Sequence, residues 1–116
     1  MKIYTYAKCS TCRNALKWLD SKNISYKNLP IRETPPSVAE LKKMLKAYDG
    51  NIRRLLNTSS KDYRELGIKD QLDDMKAEDV FTLMQQNGNL VKRPFVIDKD
   101  AMITGFKADE WQEKLG

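Results

Sequence analysis

Between Tyr6 and Asn14 the chain reads Ala7-Lys8-Cys9-Ser10-Thr11-Cys12-Arg13, and its only two cysteines stand there with two residues between them. The apolar-rich run Ile3-Tyr4-Thr5-Tyr6 precedes them and reads as a strand. Asn14-Ala15-Leu16-Lys17-Trp18-Leu19 follows and reads as a helix. The pair therefore belongs to a strand-to-helix turn. With a helix beginning near Ser10, Cys9 lies at its N-terminus and Cys12 one turn inside. The N–H groups left free at a helix start, with the helix dipole, stabilise a thiolate there. They lower a cysteine pKa from its free value of roughly 8.5. Cys12 is then placed to attack a mixed disulfide formed at Cys9, which is the arrangement a thiol–disulfide cycle needs.

Two other uses of such a pair are open at this point. A structural disulfide would close a loop of only a few residues and constrain the unfolded chain weakly. A structural zinc site needs four ligands, usually Cys or His. The chain has two Cys and no His, so no metal is expected. The absence of His also removes His-based acid–base catalysis and Cys–His dyads. Activation of a cysteine must come from backbone dipoles, Lys or Arg.

The 116 residues predict a single domain, 1–116, and 41% hydrophobic residues suffice for one modest core. No apolar run approaches the roughly 20 residues of a membrane helix, and no signal-peptide pattern precedes the first strand. The expected compartment is a reducing cytoplasm, where a Cys pair is catalytic or sensing rather than structural. The net charge of +5 is spread along the chain, with Asp70, Asp73, Asp74, Glu78 and Asp79 following Lys42, Lys43, Lys46, Arg53 and Arg54. That distribution reads as solvated surface and not as a nucleic-acid interface.

Strand one is predicted over Lys2–Tyr6 and helix one over Ser10–Ser21, with Cys12, Ala15, Leu16 and Leu19 on its buried face. Trp18 is expected at the edge of that face. Ile24–Leu29 alternates and reads as strand two, completing a βαβ unit with parallel strands. After Thr34-Pro35-Pro36, Ser37 and Glu40 form a capping box. They open a helix to about Tyr48 with Val38, Leu41, Leu45 and Tyr48 on its apolar face, ended by Asp49-Gly50. Short amphipathic pieces follow at Ile52–Leu56, Lys61–Leu66 and Ala77–Gln86, so 37–87 reads as a helical insert. Phe95–Asp98 and Met102–Thr104, joined through Lys99-Asp100, predict an antiparallel hairpin. A helix over Asp109–Leu115, with Trp111 and Leu115 on one face, ends the chain. The fold class is α/β, ordered βαβ–helical insert–ββα. This is the thioredoxin-like plan with an enlarged middle, a mixed four-stranded sheet flanked by helices.

Several motifs go further: Tyr4 to Arg13 as Tyr-x-x-x-x-Cys-x-x-Cys-Arg, Thr34-Pro35-Pro36, Asn57-Thr58 with Tyr63-Arg64-Glu65-Leu66-Gly67, Leu90-Val91-Lys92-Arg93-Pro94, and Gly105-Phe106. On these the chain resembles the arsenate reductase/Spx family of the thioredoxin superfamily along nearly its whole length. The resemblance implies that Pro94 precedes the hairpin, faces the cysteine loop and commonly follows a cis bond. It also implies that Arg93 points toward the reactive cysteine, where a guanidinium stabilises a thiolate or binds an oxyanion. On this reading Cys9, Cys12 and Arg93 are catalytic, and Pro94, Ser10, Thr11 and Lys8 form the docking edge. No metal, nucleotide or flavin is implied. The reductant would be an external thiol, a glutaredoxin with glutathione or a thioredoxin.

The departures from the family carry information. Its glutaredoxin-dependent arsenate reductases use one loop cysteine and three arginines around the oxyanion. Here Cys12 adds a second thiol, only Arg93 matches, and Asn57 and Phe106 stand near the other two arginine positions. Arg53 and Arg54 are expected at different helical positions. Each lost charge-assisted contact removes on the order of 1.5–3 kcal/mol, so poor arsenate handling is expected. The Spx branch binds the RNA polymerase α-subunit and senses oxidation through a comparable Cys pair. It shares Arg93-Pro94 and a glycine near Gly50, and its members continue beyond the last helix. A thiol–disulfide oxidoreductase, an α-subunit-binding redox regulator and an arsenate reductase are thus the three expectations.

Overall fold

A computed structural model describes residues 1–99 and 101–116. Four strands, β1 (Lys2–Thr5), β2 (Lys27–Pro30), β3 (Phe95–Ile97) and β4 (Met102–Thr104), form one mixed sheet in the order β2-β1-β3-β4. β1 runs parallel to β2, with Tyr4 opposite Leu29, and antiparallel to β3, with Ile3 opposite Val96. β3 and β4 are the antiparallel hairpin, with Val96 opposite Ile103. Its Lys99-Asp100 connection lies partly outside the described residues.

Successive strand residues point to opposite faces, and the sheet uses both. Ile3, Val96 and Ile103 face a core with Ala15, Leu19 and Trp111, from α1 (Ser10–Ser21) and α6 (Ala108–Leu115). Tyr4 and Phe95 face the opposite core, filled by the helices of the insert. Trp18 sits half-buried at the edge of the first core, its ring edge-on to Trp111 at 5.7 Å.

The element ends that differ from expectation have local causes. β1 stops at Thr5 because the Tyr6 carbonyl accepts the Cys9 N–H at 3.0 Å and turns the chain. β2 begins at Lys27 and not at Ile24. Asn23 takes a left-handed φ of 57°, and the Ile24 N–H closes α1 on the Leu19 carbonyl at 3.1 Å, so it is lost to the sheet. Ile24 and Tyr26 still pack on the α1 side of the sheet. Pro30, which has no N–H, ends β2 at the edge of the sheet, where a proline is tolerated.

The insert is helical, as expected. α2 (Val38–Ala47) opens on the Ser37–Glu40 capping box, with the Glu40 N–H donating to Ser37 Oγ at 3.2 Å. Its buried face centres on Leu41 and Met44, with Val38, Leu45 and Tyr48 half-buried beside them. The Gly50 N–H, at a φ of 83°, donates to the Leu45 carbonyl and ends the helix. Ile52–Leu55 is a 3₁₀ turn, followed by α3 (Lys61–Glu65), α4 (Ile68–Gln71), a turn at Leu72–Asp74, and α5 (Ala77–Gln86). A last 3₁₀ turn, Gly88–Leu90, returns the chain to the sheet. Gly88 is obligatory there, since a Cβ would stand 2.0 Å from the Ile31 carbonyl oxygen.

Candidate functional site

Cys9 is the N-cap of α1, with extended backbone (φ −91°, ψ 116°) and no side-chain capping bond. Its carbonyl already accepts the Arg13 N–H at 3.0 Å, and the backbone N–H of Cys12, in the first turn, favours its thiolate. Arg13 braces the loop by donating from Nη1 to the Ala7 carbonyl at 3.1 Å. Cys9 is half-buried and Cys12, one turn on, is 1% exposed, both as free thiols.

The two sulfurs have opposite environments. Burial pushes the Cys9 thiol up, but the Cys12 N–H, the Cys12 thiol and the charge and N–H donors of Arg93 outweigh it and hold Cys9 below its ordinary value. Burial pushes Cys12 up to about 12; the Tyr6 N–H opposes this and the neighbouring Cys9 adds to it. One sulfur is thus prepared to be a thiolate and the other to keep its proton.

Arg93 reaches the loop from the opposite side, just before β3. The Arg93–Pro94 peptide bond is cis. Pro94 itself is buried and its carbonyl accepts from the Gly105 N–H at 2.8 Å, so it supports the rim from beneath. Lys8, Ser10 and Thr11 are exposed and flank Cys9. The Arg93 guanidinium lies over the Tyr6 ring at 4.8 Å, and Arg32 lies over the same ring at 5.0 Å. Nothing in the local sequence around Tyr6 announces this stack, because its partners come from distant parts of the chain.

A cleft of about 250 Å³ opens beside Thr11 and is lined by Arg54, Asn57, Lys92, Arg93 and Phe106 among others. This corrects the placing of Arg54. The Ile52–Leu55 segment is a 3₁₀ turn followed by extended chain at Leu56, so α-helical spacing does not apply to it. Arg54 lies in the cleft with Asn57, whereas Arg53 points away to Asp73 at 3.5 Å. The Arg54 charge is partly spent: its guanidinium stacks on Tyr48 at 4.6 Å and stands 3.9 Å from Glu110 Oε2. Its Nε is buried without a partner among the described residues. A second cleft, of about 540 Å³, runs between β1 and α1 past Cys12, Arg13 and Asn28.

Among the described residues no group of three or more His, Cys, Asp or Glu side chains is arranged to hold a metal ion. No helix among them is long and apolar enough to cross a membrane.

Known proteins are similar to this chain in sequence and fold. The uncharacterized protein YusI of Bacillus subtilis is 36% identical over 113 residues, covering 97% of this chain and 96% of its own. The global transcriptional regulator Spx of Listeria innocua is 32% identical over 108 residues, 93% of this chain and 81% of that protein. The crystal structure of a possible arsenate reductase from Streptococcus mutans superposes with a TM-score of 0.86 at 29% identity, covering 96% of each chain. The model of the ArsC family matches residues 4–114. That span takes in the cysteine turn, the helical insert and the Arg93–Pro94 rim together, and this chain belongs to the ArsC family.

Proposed function

We propose that this chain is a thiol–disulfide oxidoreductase in which Cys9 is the nucleophile, Cys12 the resolving thiol and Arg93 the electrostatic partner. The observation that carries this reading is the asymmetry of the pair: a half-buried Cys9 held toward thiolate beside a buried Cys12 held toward thiol. The Cys9 thiolate attacks one sulfur of a substrate disulfide, forms a mixed disulfide and expels the other sulfur as a thiolate. That step removes the negative charge from Cys9, and with it one of the influences that keep Cys12 protonated. Cys12 then attacks the Cys9 sulfur, passing its proton to the leaving thiolate. An external dithiol or a pair of small thiols reduces the resulting Cys9–Cys12 disulfide by supplying two electrons and two protons, and is itself oxidised to a disulfide. Lys8, Ser10 and Thr11 make the surface on which substrate and reductant dock, with Pro94 supporting it. A reducing cytoplasm fits a pair that must be returned to the thiol state.

Cys12→Ser tests the scheme. It stops the cycle at the mixed disulfide, so partners should be trapped on Cys9. Coupled turnover of a small disulfide with a glutaredoxin or thioredoxin system should be present in the native chain and lost in Cys9→Ser. Absence of both trapping and turnover overturns the proposal.

A second reading is favoured by the 32% identity to Spx: the pair would switch affinity for the RNA polymerase α-subunit rather than turn over. A switch needs different affinities in its two redox states. Equal binding, or none, by the oxidised and reduced forms removes it.

A further inference from the structure

On the side of Arg93 away from Thr11 lies a groove of about 350 Å³, lined among others by Tyr6, Arg32, Asp62, Asn89 and Arg93. Within it a chain of hydrogen bonds leads back from Arg93 into the insert. Arg93 Nη1 donates to Asn89 Oδ1 at 3.4 Å. Asn89 Nδ2 donates to Asp62 Oδ2 at 3.1 Å, and Asn87 Nδ2 donates to the same oxygen at 2.7 Å. Asn87 Oδ1 accepts the Asn89 N–H at 3.0 Å.

The carboxylate fixes the direction of every bond in this chain. An ionised Asp accepts hydrogen bonds and donates none, whereas an Asn amide has a donor end and an acceptor end. Both amides therefore turn their NH₂ groups to Asp62, and their oxygens must face away. The Asn87 oxygen meets the turn it caps, and the Asn89 oxygen meets Arg93. Turning Asn89 over would place oxygen against carboxylate and NH₂ against guanidinium. Asp62 is held below the usual carboxylate range by the Asn87 donor and then by Asn89, so it stays ionised at neutral pH. The frame is rigid from beneath, because Gly88 packs its backbone directly on Ile31.

We infer that Asp62, acting through Asn89, is a positioning residue for Arg93: it aims the guanidinium between the Tyr6 ring and the Cys9 sulfur. The inference rests on the reading of Arg93 as the electrostatic partner of Cys9. Asp62 and Asn89 themselves touch no reacting atom.

Its test exploits a difference of sign. Removing the Asp62 carboxylate takes a negative charge from the neighbourhood of Cys9. Through space alone that would favour the thiolate and lower its titration midpoint. Loss of the relay releases Arg93 and raises the midpoint. Thiolate absorbance should be titrated in a Cys12→Ser background, where Cys9 is the sole thiol, for Asp62→Ala, Asn89→Ala, Arg93→Ala and the Asp62→Ala/Arg93→Ala pair. The relay predicts a rise of about 0.5–1 pH unit for each single change, with about three- to tenfold slower alkylation near neutral pH. In the paired variant Asp62→Ala should add no further rise. Asp62→Glu, which keeps an acceptor-only carboxylate, should recover most of the lost rate. Near-ultraviolet circular dichroism identifies any variant that has not folded, and Asn89→Ala carries the test if Asp62→Ala fails to fold. A fall or no change in both Asp62→Ala and Asn89→Ala, with Arg93→Ala raised, overturns the relay alone. An unchanged midpoint in Arg93→Ala overturns the reading of Arg93 and the relay with it.

Discussion

Cys9 and Cys12 are the same residue type placed three positions apart, and the fold separates them chemically by exposure and by which N–H groups they face. Alkylation of the reduced protein should therefore modify Cys9 first at neutral pH, with Cys12 reacting only after unfolding. Peptide mapping after brief labelling checks this, and prior labelling of Cys12 would reverse the assigned order of attack. The raised Cys12 pKa also makes stability depend on pH. The fold favours the neutral thiol, so this contribution is complete below the unfolded-state pKa, near 9, and is lost as pH rises toward about 12. Under reducing conditions the urea midpoint of the native chain should fall over that range more steeply than that of Cys12→Ala. Parallel curves would show that the fold does not hold Cys12 as a thiol. The cysteine turn was legible in the sequence because all its causes are local: spacing, a strand before it, a helix after it. The Arg32–Tyr6–Arg93 stack and the Asp62–Asn89 bonds were not, since each joins side chains brought together only by the tertiary fold.

Elements were readable where a side chain marks their ends. Ser37 and Glu40 announced α2, and the box is present in both directions. Ser37→Ala should cost about 1 kcal/mol, as N-cap losses do, measured as a drop in urea midpoint with unchanged slope; a change within error would mean that Glu40, also bonded to Lys2 and Tyr4, holds the helix start unaided. Elements were misread where backbone geometry departs from the α-helix without a marker. The Ile52–Leu55 turn is such a case, and assuming α spacing there misplaced Arg54. The α2 face was drawn through Val38, Leu41, Leu45 and Tyr48; Leu41 is buried and the other three pack half-buried against the core, but Met44, fully buried, was missed. Gly88 carries a constraint no propensity reveals, because its neighbour is Ile31, at the far end of the insert. Gly88→Ala must displace one backbone segment from the other. It should lower stability by more than the roughly 0.5–1 kcal/mol ordinarily attached to a glycine–alanine exchange, and a near-neutral urea midpoint would show that the turn yields freely.

At the scale of the molecule, the sheet, α1 and the insert meet at one cleft, and its charge decides which substrates suit it. Arg93, Lys92 and the exposed Lys107 contribute positive charge, Asn57 and Phe106 contribute none, and Arg54 is shared with Glu110 and the Tyr48 ring. A divalent oxyanion bound beside Cys9 would compete with Glu110 for Arg54 and find neutral groups where further cations would serve it. Arsenate-dependent oxidation should therefore be slow in the native chain, while a small uncharged disulfide is reduced readily. Asn57→Arg places a guanidinium in the same cleft and should raise kcat/KM for arsenate by about tenfold or more, the factor equivalent to a single charge-assisted contact of on the order of 1.5–3 kcal/mol. It should leave turnover of the uncharged disulfide within about twofold, since that reaction depends on Cys9 and Arg93 rather than on anion affinity. The two substrates should be assayed side by side, with the same reductant, on native protein and on Asn57→Arg. Efficient arsenate turnover by the native chain would show that Arg93 with the partly engaged Arg54 suffices. A gain in Asn57→Arg confined to arsenate would identify cation count in this cleft as what separates the two chemistries.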